Sequence, residues 1–393
     1  MSKVRLGDLF SISSGGTPNK KNPEYYINGD IPWIKTGDLK GKYISNEIEY
    51  ITEDGLINSS AKIFPRNTVL VAMYGATIGA CSILPFDAST NQACAAFLPN
   101  DRVIPEYLYY FLCSKKEKFI QDGVGGAQPN ISAGYLKKVE IEELSLNQQK
   151  QIAATLDQVT DLINKRKQQL EKLDELVKSR FIEMFGDPIS NPMNLPVKTL
   201  KQLSVLITNG NTPKGGSENY VDKGILFIRS QNVWRNRIDL DDVAYIDDTT
   251  HHNMSKSSVH YKDILITKTG RINTENSSLG RAALYLGEDN SANINGHVYL
   301  VRLNASVIPE YVITILTSEA YRNYIRKVCV GGIDKRQINL DQVEEFPIIL
   351  PSIELQTQFA AFDEATDKLK FEAKQGLEKL ETLKKSLMQE YFG

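Results

Sequence analysis

The chain has 393 residues, more than one hydrophobic core usually holds, so two or more domains are expected. Apolar residues make up 41% and charged residues 24% of the sequence, a balance that excludes a disordered or fibrous protein. The net charge of −2 is unlike that of most nucleic-acid-binding domains, which are basic, so the local distribution of charge must decide whether nucleic acid is a partner.

Cysteine and histidine are scarce in this sequence. The four cysteines form no C-x-x-C pair, and with only four histidines no metal site is predicted. The first residues lack the apolar stretch of a signal peptide, and the most apolar run, at 69–84, is short and interrupted by glycine. We therefore expect reduced thiols, a cytoplasmic location and no membrane partner.

The chain repeats itself, beginning with a glycine-containing loop. GGTP at 15–18 returns as GNTP at 210–213. The segments that follow, IPWIKTGDL at 31–39 and ILFIRSQNV at 225–233, each predict a strand that ends in a polar, cation-bearing turn. The order of these segments is the same in both copies.

The middle of each copy matches as well. FPRNTVLVAMYG at 64–75 corresponds to HYKDILITKTG at 260–270, and each predicts a turn followed by an aliphatic strand that runs into glycine. VIPEYLYYFL at 103–112 corresponds to VIPEYVITIL at 307–316, where proline just inside an amphipathic run predicts the start of a helix.

The ends of the two copies complete the repeat. LNQQKQIAATLD at 146–157 corresponds to IELQTQFAAFDE at 353–364, and both copies close on the dipeptide FG. The offset between copies is 195 residues at the glycine loops (15 to 210) and 207 at these segments (146 to 353). A period this long, repeated twice, predicts a domain duplication rather than a solenoid.

Two long amphipathic segments without proline, starting near Asn147 and Glu354, close the two copies. At about 1.5 Å per residue, a helix of about 39 residues would be about 58 Å long. Two helices of equal length predict antiparallel pairing within the chain, and a dimerisation coil is the alternative. Apolar residues at alternating spacings of four and three predict the seam, the line of side chains along which the helices pack. The predicted seam residues are Ile152, Leu156, Val159, Ile163, Leu170, Leu173, Val177, Phe359, Leu369, Leu377, Leu380 and Leu387.

None of the common catalytic patterns is complete. NPEY at 22–25 lacks the second proline of the N-P-P-Y of amino-methyltransferases, and GVGGAQ at 123–128 matches no phosphate-binding loop and predicts a turn. The HH pair at 251–252 has no third ligand and predicts a solvated loop. G-x-S-x-G is absent. The sequence thus predicts that this chain carries out no bond chemistry.

Polar loops favour recognition of DNA instead. Arginine beside glutamine and asparagine, as in RSQNVWRNR at 229–237, suits bidentate contacts with guanine and adenine edges, and lysines suit phosphates. Lys42 and Asn273 lie in the same loops. The candidate DNA-binding residues are Lys20, Lys35, Thr36, Tyr74, Thr77, Asn91, Gln92, Lys214, Arg229, Gln231, Asn232, Arg235, Lys268, Arg271, Asn295 and His297.

Some of these residues are assigned to bases. In the first copy they are Lys35, Thr36, Tyr74, Thr77, Asn91 and Gln92, and in the second copy Arg229, Gln231, Asn232 and Arg271. Because the loop residues differ between the copies while the frameworks match, the two modules are suited to reading two different short sequences.

With its duplicated G-x-T-P loops, its helix starts LNQQKQIA and ELQTQFA and its FG endings, the whole chain resembles the specificity subunit of type I restriction-modification enzymes. Many members of that family carry proline where this chain has Ser145, and the second copy keeps Pro351. The resemblance implies an α+β fold with two mixed α/β target-recognition domains, at 1–145 and 187–352, joined by a long antiparallel two-helix coiled coil of spacer helices at 146–186 and 353–393.

The same resemblance implies a function in a complex. Each target-recognition domain would read one half of a split double-stranded DNA target, and the helices would set the spacing and dock two modification subunits. Those subunits would bring S-adenosylmethionine and methylate adenine, and restriction subunits would bring ATP- and Mg-dependent translocation and cleavage. This chain is therefore expected to be a non-catalytic specificity subunit that binds no cofactor.

Two other interpretations remain open at the level of sequence. The chain could be a free-standing DNA-binding scaffold or repressor that dimerises through its helices. It could also be an enzyme whose active site carries none of the familiar patterns.

Overall fold

The computed structural model describes residues 3–45, 48–123, 130–272, 274, 276–332 and 335–393. The chain divides into two compact units, which are described separately. Unit 1 comprises 1–168 and 374–393, and unit 2 comprises 169–373. Asn273 and most of GVGGAQ lie outside the described residues.

The elements up to the first long helix are, in chain order, β1 (Lys3–Arg5), α1 (Leu6–Leu9), β2 (Ile12–Ser14), β3 (Ile31–Ile34), β4 (Glu49–Ile51), α2 (Glu53–Ile57), β5 (Ile63–Phe64), β6 (Val69–Ala72), β7 (Cys81–Ile83), β8 (Ala88–Thr90), β9 (Cys94–Phe97), α3 (Pro105–Ser114), α4 (Lys116–Gln121), α5 (Ala133–Lys138), β10 (Glu140–Glu142) and α6 (Leu146–Phe185).

The remaining elements are β11 (Val197–Thr199), β12 (Ser204–Asn209), β13 (Ile225–Ile228), β14 (Val233–Trp234), β15 (Arg237–Ile238), β16 (Ala244–Ile246), α7 (Asp248–Asn253), β17 (Ile264–Thr267), β18 (Thr269–Gly270), β19 (Ala282–Leu284), β20 (Ala292–Ile294), β21 (Val298–Leu303), α8 (Pro309–Thr317), α9 (Glu319–Val328), β22 (Val330–Gly331), β23 (Arg336–Gln337), α10 (Leu340–Glu344), β24 (Pro347–Ile349) and α11 (Ile353–Phe392).

Unit 1 is built on two sheets that pack against each other through apolar side chains. One sheet has the order β2-β9-β6-β7 and is antiparallel, and the other has the order β4-β3-β8-β5 with β3 parallel to β8. Side chains alternate across a strand, so β6 faces two cores. Val69 and Val71 pack with helix α3, and Leu70 and Ala72 pack with the second sheet.

Unit 2 repeats this arrangement, except that its second sheet has three strands where that of unit 1 has four. Its sheets have the orders β12-β21-β17-β19 and β16-β13-β20, and β13 is again parallel to β20. Ile264 and Ile266 face one core and Leu265 faces the other. Unit 2 adds the hairpin β14-β15 and the small sheet β18-β23-β22. The predicted internal duplication is therefore present in the strand order.

Both predicted proline-initiated helices form, with Pro105 and Pro309 in the first turns of α3 and α8. A buried glutamine near the start of each long helix holds the chain just before them. Gln149 accepts a hydrogen bond from the Ile104 amide at 2.9 Å, and Gln356 accepts one from the Ile308 amide at 3.0 Å. The repeated glutamines thus fix each long helix to its own unit.

Helices α6 and α11 run antiparallel within each unit. In unit 1 the ammonium group of Lys167 lies 3.2 Å from the carboxylate of Glu381. In unit 2 that of Lys370 lies 2.9 Å from Asp174, and the rings of Phe181 and Phe359 are 5.4 Å apart. As the residue number rises along α6, the number of its partner on α11 falls, as the predicted antiparallel coiled coil requires.

The predicted seam residues differ in burial. Leu156, Val159, Ile163, Val177 and Phe359 are buried. A second group is half-buried, namely Ile152, Leu170, Leu173, Leu377, Leu380 and Leu387.

Leu369 does not belong to the seam, because half of its side chain is exposed (50%). Thr366 and Ala373 are buried, and the stem of Lys370 lies between them with its ammonium group on Asp174. An α-helix has 3.6 residues per turn, so the buried stripe drifts from a strict 3.5-residue repeat. Here the drift moves the inward position from 369 to 370.

Another prediction is wrong at the histidine pair. The stretch expected to be a solvated loop forms α7, and His251 Nδ1 lies 2.5 Å from the side-chain oxygen of Asn293. Among the described residues, no helix is long and apolar enough to cross a membrane, and no group of three or more metal-ligating side chains occurs. All four cysteines are free thiols.

Candidate nucleic-acid interface

The candidate residues of unit 1 follow the ends of neighbouring strands. Because β3 and β8 are parallel, their carboxyl ends meet at one edge of the sheet. The backbone amide of Asn91 donates to the carbonyl of Ile34 at 2.9 Å, which joins the two loops directly. Lys35 and Thr36 after β3 therefore lie beside Asn91 and Gln92 after β8.

The GGTP loop packs onto this edge. The Gly16 amide donates to the Thr90 carbonyl at 2.9 Å, and the Gly16 carbonyl accepts from the Trp33 indole at 3.0 Å. A Cβ atom on Gly15 would lie 1.9 Å from the Thr90 carbonyl oxygen, so only glycine permits this approach. The hydroxyl of Thr17 then donates to the side chain of Gln92.

The loop after β6 completes the edge in unit 1. The Met73 amide donates to the Ala93 carbonyl at 2.8 Å. This bond brings the loop that carries Tyr74 and Thr77 beside the loop that carries Gln92. We call this edge surface 1, defined by the loops at 15–20, 35–38, 73–77 and 91–93. Of its predicted residues, Lys20, Tyr74 and Gln92 are exposed, and Lys35, Thr36, Thr77 and Asn91 are half-buried.

Some polar groups of surface 1 serve the loops themselves. The carboxylate of Asp38 accepts the backbone amide of Lys35 at 2.7 Å, and the Lys35 ammonium group pairs with Glu49. The side-chain oxygen of Asn91 accepts the Ala93 amide at 3.2 Å, as asparagine does in a tight turn. These bonds leave the amide NH₂ of Asn91 for other partners, because no hydrogen bond engages it among the described residues.

Unit 2 has an equivalent edge, surface 2, defined by the loops at 210–214, 229–232, 268–271 and 295–297. The Asn295 amide donates to the Ile228 carbonyl at 3.0 Å, and the Lys268 amide donates to the His297 carbonyl at 2.9 Å. A Cβ atom on Gly210 would lie 2.2 Å from the Asn295 carbonyl oxygen. The backbone framework of surface 1 is thus repeated with different side chains.

Surface 2 carries more cations than surface 1. Within its loops, Lys214, Gln231, Arg271 and His297 are exposed, and Arg229, Lys268 and Asn295 are half-buried. Arg235 is also exposed, but it lies in the turn of hairpin β14-β15, outside the loops that define surface 2. The ammonium group of Lys268 lies 5.4 Å from the centre of the Tyr299 ring. Asn295 accepts the His297 amide at 3.0 Å in the same turn that Asn91 forms in unit 1.

Arg229 and Gln231 share one acidic partner. The Arg229 guanidinium donates to the Asp242 carboxylate at 3.0 Å and to its backbone carbonyl at 2.9 Å. The amide of Gln231 donates to the other carboxylate oxygen of Asp242 at 2.7 Å. Asp242 is itself exposed, so it holds both side chains at the protein surface.

Asn232 is not available as a base-reading residue. It is 2% exposed, and its side-chain oxygen accepts the Arg229 amide at 2.9 Å. Its NH₂ group donates to the carbonyls of Asp239 and Asp242 at 3.0 and 2.7 Å. All of its polar groups are used to close the 229–242 loop, so we remove it from the candidates.

Lys42 is also placed elsewhere. Its ammonium group lies 2.6 Å from the carboxylate of Asp157 on α6 and 5.3 Å from the centre of the Tyr110 ring. These contacts join the loop to the long helix in unit 1. We therefore remove Lys42 from the DNA-binding candidates.

Unit 2 contains a cation–aromatic stack that the sequence did not predict. The guanidinium of Arg281 lies 3.8 Å from the centre of the Trp234 ring, and Arg281 is buried. Burial, followed by the charges of Arg235 and Arg237, lowers the pKa of Arg281. Its position 47 residues from Trp234 (281 against 234) carries no local sequence signal. The stack braces the hairpin that presents Arg235.

Comparison with known proteins agrees with this architecture. The profile of the type I restriction modification DNA specificity domain matches residues 1–172. The specificity subunit of the type I restriction enzyme MjaIX from Methanocaldococcus jannaschii is 30% identical over 287 residues, which cover 68% of this chain and 65% of that one. The EcoR124I/EcoR124II specificity subunit from Escherichia coli is 26% identical over 45% of each chain. The chain thus matches less than two thirds of either relative's length.

Solved structures share the fold over the full chain. The S subunit of a type I restriction-modification system from M. genitalium aligns with a TM-score of 0.58 at 16% identity, covering 100% of this chain and 96% of that one. A chain from a study of complex assembly in the type I R-M system aligns with a TM-score of 0.60 at 15% identity, covering 100% and 97%. These structures show the shared fold, and on the profile match over residues 1–172 together with the 30% identity to the MjaIX subunit, the chain belongs to the family of type I restriction-modification specificity subunits.

Proposed function

We propose that this chain is the non-catalytic, DNA-reading subunit of a type I restriction-modification complex. Surface 1 reads one half of a bipartite double-stranded target, and surface 2 reads the other half. Modification subunits methylate adenine within the site that this chain selects, and restriction subunits join the same complex.

One observation carries this proposal: the two surfaces have the same backbone framework and different side chains. The hydrogen bond between Asn91 and Ile34 has its counterpart between Asn295 and Ile228. Where surface 1 carries Lys35, surface 2 carries Arg229 in the corresponding position after the strand. A conserved frame with exchanged loop residues is what two readers of different sequences require, because base edges are read by side chains in the grooves.

The side chains divide by chemistry into two roles. Arg229 and Gln231 carry planar donors that match guanine and adenine edges, so we assign them to bases together with Asn91 and Gln92. Exposed Lys20, Lys214 and Arg235 are assigned to phosphates, because binding to phosphate depends on the charge of a side chain rather than on a precise hydrogen-bonding geometry.

The long helices are assigned to spacing and docking. A helix of about 40 residues is about 60 Å long, more than one turn of DNA, which repeats at about 34–36 Å. Several large apolar side chains are exposed on these helices. They are Leu162, Leu176, Leu369, Phe371 and Leu383. We assign this set to the modification subunits.

The cofactors of the reaction belong to the partners in this proposal. S-adenosylmethionine is bound by the modification subunits, and ATP with Mg is bound by the restriction subunits. The target adenine leaves the helical stack to enter a modification subunit. This chain contributes position and sequence selection.

A genome-wide map of adenine methylation, with the gene intact and deleted, tests the proposal. The expected result is the loss of one motif made of two short specified blocks around a fixed gap. An unchanged map in cells that express the modification subunit would contradict it. A purified chain that binds one defined site without partners would instead favour the free-standing scaffold or repressor.

A further inference from the structure

The loop that follows β17 in unit 2 is longer than its counterpart after β6 in unit 1. Three residues separate Gly75 from Gly79, whereas nine separate Gly270 from Gly280. The ends of the two loops correspond, because the amides of Gly79 and Gly280 each donate to the last carbonyl of the preceding strand, at 2.9 and 3.0 Å. We call residues 271–278 the unit 2 loop, of which the structure describes 271, 272, 274 and 276–278.

The two ends of the unit 2 loop lie close together. A Cβ atom on Gly270 would lie 2.2 Å from the Leu279 amide nitrogen, so only glycine permits this approach. Strand β18 pairs Gly270 with Arg336 of β23, and the Ser278 hydroxyl donates to the Thr269 carbonyl at 2.7 Å. The neck of the loop is therefore fixed from both sides.

Arg281 holds the second half of the same loop. Its guanidinium donates to the Ser277 carbonyl at 3.0 Å and to the Asn276 carbonyl, and it stacks 3.8 Å from the centre of the Trp234 ring. Ala80 occupies the equivalent position in unit 1, since the carbonyls of Ala80 and Arg281 accept corresponding amides of β6 and β17. The longer loop and the arginine that holds it thus occur together in unit 2.

Burial of Arg281 opposes folding. Its side chain is 8% exposed and forms no ion pair within the described part of unit 2, and the charges that act on it, those of Arg235 and Arg237, have the same sign. A buried cation without a counter-charge costs free energy, which the carbonyl and aromatic contacts must offset. An apolar side chain could pack on Trp234 without that cost, but it could not bond two loop carbonyls. Arg281 therefore contributes a defined loop geometry rather than stability.

The unit 2 loop presents Arg271 on surface 2. Arg271 is exposed, and its guanidinium makes no hydrogen bond or ion pair with any residue that the structure describes. Arg229, on another loop of surface 2, differs because Asp242 binds it directly. A guanidinium whose donors are all available can make two parallel hydrogen bonds to O6 and N7 of guanine. Since the side chain of Arg271 has no anchor of its own, its position depends on the loop.

We propose that Trp234 and Arg281 are positioning residues that hold the unit 2 loop so that Arg271 reads a guanine in the half-target bound by surface 2. The inference rests on the function proposed above and assigns a specificity-determining contact within it. Arg281 acts through the loop, because its own guanidinium is occupied by carbonyls and by the indole ring. Unit 1 has Ala80 and a short loop in the same place, so the contact belongs to one half of the target only.

The test uses the full chain expressed with its modification subunit, and sequencing reads the methylated motif. Arg271→Ala should relax one G·C position in one block of the motif, with discrimination there falling about ten-fold or more. Trp234→Ala and Arg281→Lys should relax the same position by about ten-fold and leave the other block unchanged. Lysine keeps the charge and loses the planar fork, so a loss in Arg281→Lys separates geometry from charge.

Two variants serve as matched controls. Trp234→Phe keeps an aromatic face for the guanidinium and should restore most of the base preference that is lost in Trp234→Ala. Arg237→Ala removes an exposed guanidinium that lies 5.4 Å from the centre of the same ring and bonds no described residue of the unit 2 loop. It should leave the base preference unchanged.

A double-variant cycle separates positioning from folding. If Arg281 acts through Arg271, adding Arg281→Lys to Arg271→Ala should cause no further loss of discrimination at that position. An additive loss, or a lower occupancy of the whole motif with unchanged base preference, would overturn the positioning role. Unchanged preference in both Trp234→Ala and Arg281→Lys would overturn it as well, while the wild type still directs a split motif. A wild-type chain that directs no split motif would overturn the proposed function itself.

Discussion

The guanidinium of Arg229 is held by Asp242 through both the carboxylate, at 3.0 Å, and the backbone carbonyl, at 2.9 Å. The carboxylate also binds Gln231. In a loop that we propose to face DNA, an acid opposes phosphate binding, so its presence there needs a reason. Fixing the orientation of two base-reading side chains before DNA arrives is such a reason, because less rotamer freedom is then lost on binding.

Asp242→Asn should therefore change affinity and selectivity in opposite directions. Binding to random duplex DNA should rise, because a negative charge is removed, while discrimination at one base position should fall as Arg229 and Gln231 lose their anchor. Competition binding with target and scrambled duplexes measures both quantities. Asp241→Asn, which removes an exposed neighbouring charge, should raise non-specific binding without loss of discrimination. If both variants behave alike, Asp242 has no positioning role.

Arg229→Ala should cost about 1–3 kcal/mol of specific binding and relax one position of the target. Lys214→Ala, which removes an exposed cation at the edge of the same surface, should weaken all sequences about equally and reduce the salt dependence of binding. Methylation profiles of cells that carry each variant measure this difference. An unchanged motif and occupancy with Arg229→Ala and Gln231→Ala would show that these residues do not read bases.

Gly15→Ala should destabilise unit 1 by about 2 kcal/mol or more and abolish reading of one half-site. The new Cβ atom would lie 1.9 Å from the Thr90 carbonyl oxygen, so the loop would have to move. Gly41→Ala is the matched control, since Gly41 lies outside surface 1 and its Cβ position would meet only the Tyr43 carbonyl oxygen, at 3.8 Å. Thermal unfolding and half-site binding should both be unaffected by the control. Equal behaviour of the two variants would contradict the role of Gly15 in closing surface 1.

Local sequence signals predicted much of this fold. Pro105 and Pro309 fix φ in a way that suits a first helical turn, so both helix starts were predictable. The duplicated strands were predictable for a similar reason, since their aliphatic runs are bounded by turn residues.

The surfaces were less predictable, because their bonds join distant segments. Asn232 has the chemistry of a base reader, and only the closure of its loop onto Asp239 and Asp242 shows that its amide is occupied. The stack of Arg281 on Trp234 likewise depends on tertiary structure. Leu369 was misplaced because a fractional helical period accumulates over many turns.

Gln149→Leu should destabilise unit 1 by about 2–4 kcal/mol. The side chain is fully buried, and its loss leaves the Ile104 amide and the carbonyls of Arg102 and Leu144 without their partner. Gln151→Leu, an exposed change two residues further on, is the control. Denaturant unfolding of both variants measures the difference. Similar unfolding midpoints for the two variants would contradict the assignment of Gln149 as the anchor of α6.

The pH dependence of stability should report on Asp363. Burial, then the charge of Asp367, raises the pKa of Asp363 to about 6 from 3.8; Lys370 acts in the opposite direction, and Glu310 and Asp174 add smaller increases. The folded state thus binds a proton more tightly than the unfolded state does. The contribution of this group is most favourable below about pH 4 and is lost as the pH rises through 6.

Asp363→Asn should therefore stabilise the isolated chain by about 2–3 kcal/mol at pH 8, and the gain should vanish near pH 4. Asp363→Leu, which places in unit 2 the residue found at the equivalent position of unit 1, should stabilise at both pH values. Thermal unfolding between pH 4 and pH 8 measures these differences, with Glu372→Gln as the exposed control. A gain that is independent of pH would show that Asp363 is already protonated or neutralised by a cation of the chain, and a loss of stability would show that its carboxylate has a partner in unit 2.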